Sequence, residues 1–127
     1  MKINFKSPFH RKAFVKFISE NIANPYCCRR EYVAAVFLLS ADKFLWKRAC
    51  ASLTVHSMKF DELDLTGISI EGYALFMAAK SIYRGGAGVS LNELCDVNLI
   101  DDATALTIFA GVMLVRKGIG LLNWRTI

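Results

Sequence analysis

Apolar residues recur four positions apart soon after the chain begins: Phe9, Ala13 and Phe17 form one series, Phe14, Ile18 and Ile22 another. That spacing places both series on one stripe of a helix and leaves Lys12 and Lys16 on its wet side. Ser7 is a favoured N-cap residue and Pro8 suits the first helical position, where its missing N–H costs nothing. Asn24-Pro25 ends the helix, because the residue before a proline is pushed out of helical geometry. From Arg29 to Leu39 the pattern changes. Val33 to Leu39 is apolar on almost every side, as in a helix packed among others, and this segment is predicted to be the central helix. A third helix is predicted over Ala41–Ala51, capped by Ser40, with Asp42 in its first turn and Lys47 and Arg48 towards its negative end. Its inward face would be Phe44, Leu45, Ala49 and Leu53.

Thr54 to Thr66 shows no helical period and reads as a connector pinned by Phe60, Leu63 and Leu65. Ser69 then caps a fourth helix carrying Ala74, Leu75, Phe76, Ala79, Ile82 and Tyr83. Gly85-Gly86 stops it, since glycine supplies the left-handed conformation past a helix end. Ser90 and Glu93 form a capping box, with Val89 and Leu94 placed to staple across it. Asp101-Asp102 opens the last long helix. Its body, Ala103–Val115, is nearly all apolar, and Arg116-Lys117 closes it before Gly118, so acid comes first and base last, as the helix dipole favours. In the tail, Leu122 and Trp124 are expected to dock back. These signals predict an all-α fold, a single compact bundle of five to six helices forming one domain over residues 1–127. The expected core is Phe14, Phe17, Val33, Val36, Phe37, Leu45, Phe76, Ala79, Leu106, Phe109 and Met113.

Hydrophobic residues make up 54% of the 127 and charged residues 21%, against about 45–50% and about 25% in ordinary soluble domains. The excess must go into the core or into surface reserved for a partner, which a second copy in a homodimer would use as readily as a foreign protein. The longest uncharged apolar stretches, Tyr32–Ala41 and Ala103–Val115, fall short of the roughly 20 residues a membrane span needs. No apolar signal region follows the charged N-terminus, so a cytoplasmic location away from the membrane is expected. Cys27, Cys28, Cys50 and Cys95 contain no Cys-x-x-Cys pair, and with only His10 and His56 there is no zinc-ligand spacing. Reduced thiols and no metal, nucleotide or organic cofactor are expected.

The segments that invite a catalytic reading each have a plainer one. Gly85-Gly86-Ala87-Gly88 stands upstream of a helix but lacks the Gly-Lys-Ser/Thr ending of a phosphate loop and reads as a helix stop. Cys28 sits beside Arg29 and Arg30, which would lower its pKa, yet no base with an orienting partner accompanies it. Asp61, Glu62 and Asp64 lack the alternation of a calcium loop and read as a solvated turn. The helices opening at Ser90 and Asp101 resemble a helix-turn-helix in outline, but its leading residues would be Asp101 and Asp102, which phosphates repel. The chain is therefore read as non-enzymatic.

Charge points to a partner. Residues 1–48 hold ten basic side chains against three acidic ones, a net +7, while residues 49–127 carry −2. Such asymmetry steers an acidic partner towards the basic half. The expected contact residues are Lys2, Lys6, Arg11, Lys12, Lys16, Tyr26, Arg29, Arg30, Lys43 and Lys47. Tyr26, Arg29, Arg30, Trp46 and Trp124 are the candidate anchors, with core packing an equal reading for both tryptophans. The expected partner is a protein or nucleoprotein complex with an acidic surface. The alternative is sequence-independent nucleic-acid binding through the same basic half, by phosphate contacts alone.

Three stretches carry a family likeness: Phe5-x3-Phe9-His10-Arg11-Lys12-x-Phe14; Tyr32-x-Ala34-Ala35-x-Phe37-Leu38-Leu39 with Trp46; and Gly67-x2-Ile70-Glu71-Gly72-Tyr73-Ala74-Leu75-Phe76. Together they resemble a family of small uncharacterised proteins of Firmicutes and their phages, the domain of unknown function DUF6075. The resemblance implies a phage or mobile-element setting, in which short lone domains act by binding a host protein. Inhibitors of host defence such as anti-CRISPR proteins are the sharpest instance. It carries over no functional residues.

Overall fold

A computed structural model describes residues 2–21, 29–53 and 58–122. Its helices are α1 (Pro8–Asn21), α2 (Arg30–Leu39), α3 (Lys43–Ala49), α4 (Ile70–Arg84), α5 (Leu91–Cys95) and α6 (Asp102–Lys117), with 3-10 turns at Cys50–Ser52, Phe60–Glu62 and Ile119–Leu121. The fold is all-α. Among the described residues there is no strand, only isolated bridges between Ile3 and Leu122 and between Leu53 and Met58.

Helix α2 is the axis of the bundle. Every residue from Tyr32 to Leu39 is buried, with α4 and α6 along most of its length and α1 and α3 against it as well. Small residues allow the close approach. A Cβ on Gly111 of α6 would stand 2.9 Å from Cγ and both methyl carbons of Leu38, so the missing side chain is what lets α6 lie against α2.

Most helix ends follow local chemistry. The Ser69 hydroxyl accepts from Gly72 N at 3.0 Å, Ser90 and Glu93 close a reciprocal capping box, and the Asp101 carboxylate accepts from Thr104 N at 2.8 Å. Gly85 and Gly118 take φ values of 79° and 85° at the ends of α4 and α6. One expected cap is displaced. Asp42, not Ser40, caps α3, its carboxylate accepting from Leu45 N at 2.9 Å. Ser40 instead ends α2, with its buried hydroxyl donating to the Phe37 carbonyl at 3.2 Å.

The same carbonyl receives a bond from a distant residue. His10 of α1 is fully buried, and its Nε2 lies 2.7 Å from Phe37 O while its Nδ1 accepts the Lys6 backbone N–H at 2.9 Å. These partners require the neutral ring with its proton on Nε2. Burial lowers the His10 pKa to about 4, outweighing the carbonyl bond that favours the charged form. The rings of Phe5 and Phe37 pack on this imidazole, their centroids 5.2 and 4.4 Å from it, and Phe14 packs in turn on Phe5 and Phe37.

The expected core is found in part. Phe14, Val33, Val36, Phe37, Leu45, Phe76 and Ala79 are buried, and Phe17 and Met113 are half-buried. Leu106 and Phe109, expected inside, are 68% and 59% exposed. The side of α6 turned inward is Thr104, Thr107, Ile108, Ala110, Gly111 and Leu114, with Gly111, which has no side chain, at the close approach to Leu38. Phe44, also expected inside, is 68% exposed: α3 starts at Lys43 and buries Leu45, Trp46 and Ala49 instead. Leu122 is buried beside Ile3, whose N–H donates to Leu121 O at 2.7 Å. Trp124 lies outside the described residues, as do Tyr26, Cys27, Cys28 and His56. Among the described residues no helix is long and apolar enough to cross a membrane.

Candidate functional site

Two pairs of lysines, each four residues apart, stand on neighbouring helices. Lys12 and Lys16 project from α1, on the side away from buried Phe14, and Lys43 and Lys47 project from α3, away from buried Leu45 and Ala49. The helices meet where the Phe17 ring sets its edge on Trp46, centroids 5.7 Å apart. The Lys16 ammonium is within electrostatic reach of the Cys50 thiol at the end of α3. All four lysines are exposed, and among the described residues none has an ion-pair partner. Unpaired charges on adjoining helices add their fields in the solvent in front of them.

The other expected contact residues are dispersed or engaged. Lys2 donates to the Gly120 carbonyl at 3.2 Å and so ties the N-terminal segment to the end of the described chain. Lys6 is exposed at the start of α1, and Arg11 is half-buried. Arg29 is held by Glu31 through Nη2 at 2.7 Å and Nε at 3.0 Å, and Glu31 lies below the usual carboxylate range because its own backbone N–H and Arg29 both favour the charged form. Arg30 donates to the Arg116 carbonyl at 3.1 Å, satisfying one of the open carbonyls at the C-terminal end of α6. Both arginines expected to anchor a partner therefore already serve the fold. Trp46 is buried against Phe17, which removes it as an anchor.

The acidic cluster resolves into separate pieces. Asp61 receives two bonds from Arg84, at 2.9 and 3.0 Å, with Lys80 at 3.7 Å, and the Arg84 bonds hold its carboxyl below the usual range. Asp64 accepts from Thr66 N at 3.0 Å. Arg48 donates to the carbonyls of Asp64 and Thr66 and staples this connector to α3, a role its position in the sequence does not suggest. Among the described residues no three His, Cys, Asp or Glu side chains gather as a metal site.

A second surface was missed by helical periodicity. Leu106, Phe109 and Val112 lie open on α6, and beside them a groove of about 450 Å³ runs between the segment Ile3–Lys6 and Ala103, Leu106, Ala110 and Met113. A smaller cavity of about 210 Å³ between α4 and α5 is lined mainly by Ile70, Tyr73, Met77, Val89 and Leu99. Its one carboxylate, Glu93, is committed to the capping box, so the cavity holds no assembled chemistry. No family model, curated protein or solved structure matches the chain.

Proposed function

We propose that the protein is a non-enzymatic binding module that grips an acidic surface of another macromolecule, a host protein or nucleoprotein complex, through the lysines of α1 and α3. One observation carries this reading: Lys12, Lys16, Lys43 and Lys47 stand exposed and unpaired about the junction of two helices, while Arg29, Arg30, Arg48 and Arg84 are engaged within the fold. Charge arranged in this way raises the association rate and selects the partner more than it supplies affinity. The resemblance to phage proteins supports inhibition of a host defence component as the biological use.

The test is capture of partners from bacterial lysate by the tagged full chain and by a variant with Lys12, Lys16, Lys43 and Lys47 all changed to Glu. The variant should keep its thermal unfolding temperature within a few degrees, because the replaced side chains are solvated, and should lose at least about tenfold in partner recovered. Equal recovery by both proteins removes the proposed surface. The same four lysines also suit phosphates, which supports nucleic acid as the second reading. That reading requires a mobility shift that weakens steeply between about 50 and about 200 mM salt, as condensed counterions cease to be released favourably.

A further inference from the structure

Helix α6 is apolar around its whole circumference, a pattern normally found where a helix is covered on all sides, yet only one side is covered. Opposite its buried face lie Asp102, Leu106, Phe109, Met113 and Arg116, spaced alternately four and three residues apart. That spacing is the seam of a helix pair. Drift along a straight helix is only about 20° per seven residues, so Asp102, Phe109 and Arg116 share one narrow strip of about 40°. Leu106 and Phe109 are largely exposed and Met113 half so. Asp102 and Arg116 are both exposed at opposite ends of the strip, and among the described residues neither has an ion-pair partner.

We infer that a second copy of the chain covers this face, with the two α6 helices antiparallel about a two-fold axis near Phe109. The end charges select this occupant and this direction. Antiparallel pairing brings Asp102 to Arg116 of the partner subunit at both ends of the seam and opposes the two helix dipoles, whereas parallel pairing sets like charges together. A partner of one charge sign would satisfy one end and repel the other. A second copy satisfies both. A single four-turn helix about 24 Å long cannot bury the roughly 800 Å² per partner of a standard interface. The groove between Phe5 and α6 supplies further surface along the same edge, so a dimer of modest affinity is expected. The lysines assigned to the heterologous partner lie on other helices, so this inference stands or falls separately from the proposed function.

Analytical ultracentrifugation of the full chain from about 5 to about 500 µM tests it. The weight-average mass should rise from that of one chain towards that of two. Phe109→Glu should weaken dimerisation at least about tenfold without lowering the unfolding temperature measured on dilute, monomeric protein. Arg116→Asp alone should weaken it, and Asp102→Arg combined with Arg116→Asp should restore it, an outcome that a merely structural role for either residue does not produce. A dimer indifferent to Phe109→Glu, or a double reversal that fails to restore pairing, overturns the inference. So does a chain that stays monomeric throughout; should removal of residues 123–127 then produce a dimer, the chain's own C-terminus would be identified as the occupant of the groove.

Discussion

From Tyr32 to Leu39 every residue of α2 is buried, whereas α6, just as apolar over Ala103–Val115, keeps Leu106, Phe109 and Val112 in solvent. The difference lies in what surrounds them. Helix α2 has α1, α3, α4 and α6 for neighbours, while α6 leans mainly on α2. Where α6 comes nearest to α2, size as well as hydropathy chose its inner side. Gly111 faces inward against Leu38 and Ala110 is buried on the same side, since a short interaxial distance gains dispersion contacts along the whole interface. Ile108 and Leu114 are buried on that side too, while Leu106 and Phe109 are left outside. An apolar helix can therefore turn its largest side chain, here Phe109, away from its own core.

Four measurements break or sharpen this contrast. Phe37→Ala should cost about 3–5 kcal/mol in urea denaturation, because the ring is enclosed by Phe5, His10 and Phe14 and its removal leaves a cavity. A cost below about 1 kcal/mol would mean that α2 is not the enclosed helix described above.

Acid should act on the same place. The His10 pKa is about 4 in the folded chain against 6.5 unfolded, so the unfolded chain binds the extra proton first as pH falls. This contribution is complete above about pH 6.5 and is lost progressively down to about pH 4, a total of about 3 kcal/mol. Carboxylates add their own dependence at the acid end. The comparison is therefore between the chain and its His10→Gln variant, whose stability should fall less from pH 7 to pH 4.5 by about 2 kcal/mol. Parallel pH profiles would deny the imidazole its neutral, buried state.

Gly111→Ala tests the close approach of α6. Alanine favours a helix interior by about 1 kcal/mol, but its methyl would meet buried Leu38 at 2.9 Å, and overpacking costs about 1–3 kcal/mol. The net effect should be a loss of about 1 kcal/mol, reversing to a gain when Leu38→Ala opens the space. The smallest effect is expected at Phe109→Ala, within about 0.5 kcal/mol for the monomer. A loss like that at Phe37 would place Phe109 in the core after all.

The helices and most of their ends were legible along the chain. Ser69, the Ser90–Glu93 pair, Asp101, Gly85 and Gly118 act on backbone groups only a few residues away, so their partners stand in the same short window of sequence. Where two candidates competed locally, at Ser40 and Asp42, the window was not enough. The choice of Asp42 freed the Ser40 hydroxyl to join His10 on the Phe37 carbonyl. Of the candidate site, the exposure of Lys12 and Lys16 followed from helical periodicity. The engagement of Arg30 did not, because its acceptor, the Arg116 carbonyl, is 86 residues away.

Local chemistry thus decided fold class, helix positions and the basic half of the chain, each of which depends on near neighbours or on composition. Packing in three dimensions decided which face of α6 is inside, that His10 is neutral and shut in against α2, and which basic side chains remain unpaired. Each of these depends on a distance between segments far apart in sequence. Periodicity identifies an apolar face, but it cannot say which of two apolar faces will find a neighbour.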